Sequence, residues 1–385
     1  MAWVTIRPTS FTINSKERIA MKRKAKRKKS KKYILAIIIS VVVTMAILIF
    51  LQRLVTPKYA TSLTEGAMTA EYYKNSGSND VIFLGDCEAY ETYSPVTLWE
   101  NYGITSYVRG NSQQMMWQSY YVLADTLKYE TPKIVVLSVC DMMHDNPDST
   151  DNSDEREAYN RMCLDGMRWS VNKVQAINAS MTSEEKEQSG LWSYFFPILR
   201  YHDRIFELTS EDWEYLFKEG PTVTSNGYLM QVGVKSGADA NYPVKPLVNY
   251  EFSQMNYQYL DKIVDLCSAN GITLVLVKSP SLYPIWYDQY EAQIEAYAQS
   301  HNLRYINTLE TQAEYGLDWA TDTYDAGLHL NVDGVEKVTL YVGNILKSEY
   351  NLEDHRTDDT LASQWSSKVT EYYATKEALK NEIEN

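Results

Sequence analysis

The sequence predicts an α/β domain built on a parallel sheet, preceded by one transmembrane helix. Three observations carry this. Short apolar runs alternate with amphipathic stretches over most of the chain. The 385 residues, 44% of them hydrophobic, are enough for one large or two ordinary domains with a real core. A single uncharged apolar stretch, Tyr33 to Leu51, lies near the N-terminus.

That stretch is close to one hydrocarbon core in length, about 28 Å as a helix. Nine cations between Lys22 and Lys32 abut it. Residues 1 to 56 hold 13 Lys or Arg and the one acid Glu17, a charge of +12; the whole chain carries -13, so the rest carries -25. By the positive-inside rule residues 1–32 form a cytoplasmic tail, 33–51 cross the bilayer and the remainder lies outside the cell. A cleaved signal peptide is the rival reading. Its apolar region would be shorter, and no A-x-A-like site follows Phe50. A nucleic-acid arm fits poorly, because the acidic body would repel phosphates. The expected partner here is the lipid bilayer.

After a stalk over residues 52–79, Asp80 to Gly85 reads as a buried strand ending in glycine, Ile104 to Val108 as a second and Lys133 to Val139 as a third. Gln114 to Tyr129 is long enough for the crossover helix between the last two. Tyr259 to Asn270 reads as a helix stopped by Gly271, followed by a strand over 272–277. Asp288 to Ser300 is another helix and Leu303 to Asn307 another strand. Asp333-Gly-Val-Glu336 has the form of a capping box opening a helix that runs to about Leu346. Residues 145–250 break the rhythm and read as an insertion within one domain spanning 80–350. Residues 351–385 form a polar tail with a surface helix over 367–382.

Open parallel sheets place reactive groups at the carboxyl ends of their strands. There the chain reads Gly85-Asp86-Cys87-Glu88, with a thiol at a helix start, where backbone N–H groups favour a thiolate and can serve an oxyanion. A base is needed, and His329 in Asp325-Ala-Gly-Leu-His329 precedes the last helix, with Asp325 or Asp322 to orient its ring. A surface histidine among solvated acids is the plain alternative. Arg109, Asn111 and Gln113 follow the second strand and are candidates for substrate contact or for helix-start capping. Lys278 ends a strand, placed to bind an anionic polymer or to pair with an acid. Tyr283, Trp286 and Tyr287 follow it, and such rings suit sugar faces as well as ordinary packing.

Asp80 to Glu88, Tyr107-Val-Arg-Gly-Asn111 and the Asp325 to His329 loop together resemble the SGNH (GDSL-type) hydrolase superfamily over roughly residues 79 to 350. The resemblance implies a flavodoxin-like three-layer sandwich. It makes Cys87 the nucleophile in place of serine, with Asp86 beside it, and Gly110 with the Cys87 N–H the oxyanion donors. The third block's Gly-x-Asn-Asp is missing, since Ser138-Val-Cys-Asp141 stands there, and the last block has one residue more than Asp-x-x-His. In the family's strand order the first and third strands are neighbours, so a Cys87–Cys140 disulfide is an alternative fate for the thiol. Cys163 and Cys267 read as ordinary buried cysteines.

The expected function is a membrane-anchored, extracytoplasmic esterase or acyltransferase acting on acyl esters of a cell-envelope glycan or polymer through Cys87, His329 and Asp325. The alternative is a catalytically inactive module that binds a glycan or partners a membrane acyltransferase. No cofactor is expected. There is no H-E-x-x-H, Cys-x-x-Cys, Walker or dinucleotide motif, so neither a metal nor a nucleotide site is predicted.

Overall fold

A computed structural model describes residues 14–384, apart from 76, 145–146, 149–152 and 224. Residues 1–13 of the expected cytoplasmic tail lie outside the described residues. Helix α1, Ser15–Val55, opens at Asn14, whose side chain accepts from the Lys16 N–H. Its residues from Tyr33 to Phe50 are exposed throughout, and it is long and apolar enough to cross a membrane. The helix does not end with the apolar stretch. Leu54 and Val55 are buried against the body of the protein.

The body is a five-stranded parallel sheet: β1 Val81–Gly85, β2 Ser106–Gly110, β3 Ile134–Ser138, β4 Thr273–Lys278 and β5 Arg304–Asn307. The spatial order is β2-β1-β3-β4-β5, the doubly wound flavodoxin-like arrangement, with its switch point between β1 and β3. The pleat sends alternate residues to opposite faces. Ile82, Leu84, Val135, Leu137, Leu274 and Leu276 enter one core, and Val81, Phe83, Ile134, Val136, Val275 and Val277 the other. A sheet apolar on both faces needs a layer of helices on each, and this is why its strands read as continuous apolar runs.

On the first face lie α5 Met116–Thr126, α8 Gln254–Ala269 and α9 Asp288–Ser300. The second carries α4 Pro95–Tyr102, α10 Val332–Tyr350 and α11 Asp359–Glu384. Between β1 and α4 sits the single turn α3, Cys87–Tyr90.

The stalk and the last helix differ from expectation, while the insertion packs as part of the one domain. The stalk holds helix α2, Thr64–Asn75, whose Tyr72 is fully buried, so most of that segment belongs to the body. The insertion contributes α6 Ser153–Leu164 and α7 Val171–Ser180, and Cys163, Leu164, Ala176 and Ile177 share the first core. Helix α11 begins eight residues earlier than expected. Trp365 stacks on Trp99 with centroids 5.0 Å apart, and Tyr372 is buried, so a stretch that is polar by composition closes the second core. At α10 the cap is Asn331, whose side chain accepts from the Asp333 and Gly334 N–H groups, in place of the expected box at Asp333.

Candidate active site

Gly85 ends β1 at φ +151°, and a Cβ there would meet the Ser138 Cβ at 2.5 Å, so glycine is required for β1 and β3 to close together. The chain then turns sharply. The Asp86 carboxylate caps α3 by accepting from the Glu88 N–H at 3.0 Å, and the Asp86 N–H donates to Asp141 at 3.1 Å. Cys87 is thereby held half-buried at the carboxyl edge of the sheet. A small cleft of about 80 Å³ opens beside it, lined by Asp86, Cys87, Glu88, Gln113, Cys140, Met143, His144, Tyr283, Pro284, Leu328 and His329. Cys87 and His329 are far apart in sequence and share this cleft.

The loop before α10 is built to present His329. The Asp325 carboxylate accepts from the His329 N–H at 2.8 Å through one oxygen and meets the ring Nδ1 at 2.6 Å through the other. Ala326 and Gly327, both at positive φ, make the turn between them. The extra residue of this block is therefore accommodated, and the acid on the ring is Asp325. Asp322 is elsewhere, accepting from the Asp318 N–H and pairing with Lys337 at 2.6 Å. A second carboxylate, Glu91, lies 3.8 Å from His329 Nδ1 and accepts from the Tyr324 hydroxyl at 2.6 Å. Burial pulls the His329 ring down, but the bond to Asp325 and the charges of Glu91 and Asp325 outweigh it and lift the ring to about 9. At neutral pH it is an imidazolium.

The thiol feels the opposite influence. Burial, then the charges of Asp86, Glu91 and Glu88, push Cys87 well above the usual thiol range, so the neutral S–H is favoured. No hydrogen bond joins Cys87 Sγ to His329 among the described residues. Cys140 lines the same cleft, yet both thiols are free, and the disulfide alternative does not describe this structure. Burial lifts Asp86 to about 7, assisted by Glu88.

Several expected contacts are corrected. Arg109 does not reach the cleft: its side chain is buried on the far side of β2, 3.8 Å over the Tyr72 ring, with Nε donating to Thr126. Asn111 is fully buried, its amide donating to the carbonyls of Glu65 and Met162, and so ties α2 and α6 to the sheet. Lys278 is buried too, its ammonium 2.7 and 2.8 Å from the Glu88 carboxylate oxygens, which settles its two readings in favour of an acid partner. Gly110 packs under Tyr90, whose ring and Cβ would stand 3.0 Å from a Cβ built there, and is not among the lining residues. Trp286 and Tyr287 also leave the cleft to Tyr283, bonding Glu291 and the Lys245 carbonyl instead.

Gln113 does line the cleft, its Oε1 and backbone carbonyl held by Arg156 at 3.0 Å. The sequence reading missed His144 and Glu91. His144 shares the cleft, and burial followed by the charge of Arg156 lowers it to about 4, so its ring is neutral. Its position six residues after the third strand was the one signal available.

No known family model matches the sequence, and no curated protein matches it. Among solved structures, it is similar to a proposed acylhydrolase from Bacteroides fragilis, at 11% identity and a TM-score of 0.33, over 73% of this chain and 94% of that one. It is also similar to a GDSL-like lipase from Bacteroides thetaiotaomicron, at 14% identity and a TM-score of 0.33, over 74% and 99%. At these levels nothing about chemistry rests on them.

Proposed function

We propose that the protein is a membrane-anchored acyl ester hydrolase or acyltransferase using Cys87 with His329 and Asp325, its N-terminus cytoplasmic and its domain outside the cell. The observation that carries this reading is the meeting, in one cleft at the carboxyl edge of the sheet, of a half-buried Cys87 and a His329 whose ring is held by Asp325. In the reaction the neutral ring takes the thiol proton, sulfur bonds to the ester carbonyl carbon, and the resulting oxyanion is held by the Cys87 N–H and the Gln113 amide. The C–O bond breaks as the ring returns the proton to the leaving oxygen; water or a glycan hydroxyl, giving its proton to the ring, then attacks the thioester carbonyl, and the C–S bond breaks as the ring returns that proton to sulfur. An acyl ester of a cell-envelope polymer is the substrate class that fits this location.

A second reading, a non-catalytic module that binds a glycan or partners a membrane acyltransferase, is favoured by one observation: burial, followed by the charges of the surrounding acids, favours the protonated thiol of Cys87. Intact-mass measurement after exposure of the full chain to p-nitrophenyl acetate separates the two. An acetyl adduct on Cys87, lost in Cys87→Ala and slowed in His329→Ala, supports the enzyme. A native protein that stays unmodified, while Cys87 alkylates once unfolded, rejects it.

A further inference from the structure

Helix α1 does not hang from the body on a loose linker. The Arg53 guanidinium donates to the Leu216 carbonyl at 3.3 Å, the Arg204 guanidinium to the Val55 carbonyl at 2.6 Å, and Tyr59 and Tyr201 hydroxyls meet at 3.1 Å. Lys58 lies 3.5 Å from the buried Asp212. Residues 198–216 of the insertion are thus clamped to the chain at 53–59. Arg53 is two residues beyond the last residue of the apolar span, about 3 Å along the helix axis. Whatever is bonded there lies at the level where hydrocarbon gives way to headgroups.

The same insertion segment leaves large apolar side chains uncovered. Phe206 is 89% exposed and Phe217 86%. Each adjoins the clamp, Phe206 two residues after Arg204 and Phe217 one after Leu216. Leu199 and Trp213 are exposed beside them, on helical turns that pack on α1, and Trp192 and Phe196 continue the patch. So many large apolar residues in under 30 residues of one segment exceed the scattered exposed leucine that needs no explanation. Phe and Trp next to the end of an apolar span match the aromatic belts and apolar faces that bury at the acyl–headgroup boundary.

We infer that residues 192–217 dock into the bilayer interface as an aromatic foot, so that the domain is fixed on the membrane at two places, α1 and this segment. The inference rests on reading α1 as a membrane anchor. Continuity with α1 is what selects lipid over a protein partner: the patch starts at the point where the helix leaves the hydrocarbon.

The test places p-benzoylphenylalanine in the full chain, in native membranes, at Phe206 or Phe217, at Val42 within the apolar span, and at Gln289 on α9, the helix packed on β5 at the opposite sheet edge. After irradiation, lipid adducts are expected at 206, 217 and 42, about ten-fold above those at 289. Adducts at 42 with none at 206 and 217, or with protein in place of lipid there, overturn the foot while leaving the anchor standing. Absence of lipid adducts at 42 removes the anchor and the foot with it.

Discussion

Asp325→Asn is the substitution that interrogates the site most directly. In the native protein Asp325 bonds both the backbone N–H and the ring Nδ1 of His329. Raising an imidazole from 6.5 to about 9 corresponds to about 3 kcal/mol of preference for the charged ring. Because the folded value lies above the unfolded one, this stability is fully present below about pH 6.5 and is lost as pH rises through about 9. Asp325 itself is held below the usual carboxylate range by the same pair, so its contribution is lost only as the solution becomes strongly acidic. The two shifts describe one interaction and are not added. Asparagine keeps the shape and removes the charge. Glu91 remains at 3.8 Å, so the ring should fall only part of the way towards its ordinary range. NMR titration of the His329 ring follows this directly. Urea unfolding should show a loss of about 2 kcal/mol near pH 6 that shrinks above about pH 9.5. A native ring titrating near 6.5, or a ring unmoved by Asp325→Asn, would refute the reasoning.

Further outcomes follow from the same geometry. The esterase rate, if Cys87 and His329 carry it, should climb with pH up to about 9, where the ring becomes a base; a flat profile between pH 6 and 9 contradicts this role. In the same NMR titration His144 should stay neutral until about pH 4, and its burial should cost stability as pH falls from 6.5, because the unfolded chain takes up that proton first. Iodoacetamide should label native Cys87 more slowly than a free thiol near pH 8, and Glu91→Gln should speed it, read by peptide mass spectrometry. Lys278→Met should destabilise by about 3–5 kcal/mol, by stranding the buried Glu88, and Glu88→Gln in the same chain should recover part of it; losses of the two single variants that simply add in the double variant would mean that the pair is not coupled.

Local signals made the sheet legible. Strands buried on both faces are written as apolar runs, and Gly85 and Gly271 mark where they stop or start. The boundaries moved by two residues or so at β2 and α5, as expected where apolar runs shade into loops. Cys87, His329 and Asp325 could be picked out because each stands at a strand end or beside a capped helix. Arg109 and Asn111 were misplaced, and Lys278 was left between two readings, for one reason. A polar residue next to an active-site block can point either way, and its direction depends on partners such as Tyr72, Glu65 and Glu88 that no local pattern names.

By itself the sequence determined the apolar span, the parallel α/β body and the block in which a thiol follows the first strand, because these depend on periodicity, length and turn chemistry within a few residues. Only the tertiary structure decided which acid holds His329, that His144 and Glu91 join the site, and that burial and the acids around Cys87 keep its thiol neutral. It also decided that residues 64–75 and the last helix are core. Charge interactions and burial are sums over groups brought together from distant parts of the chain, and those sums exist only once the chain has folded.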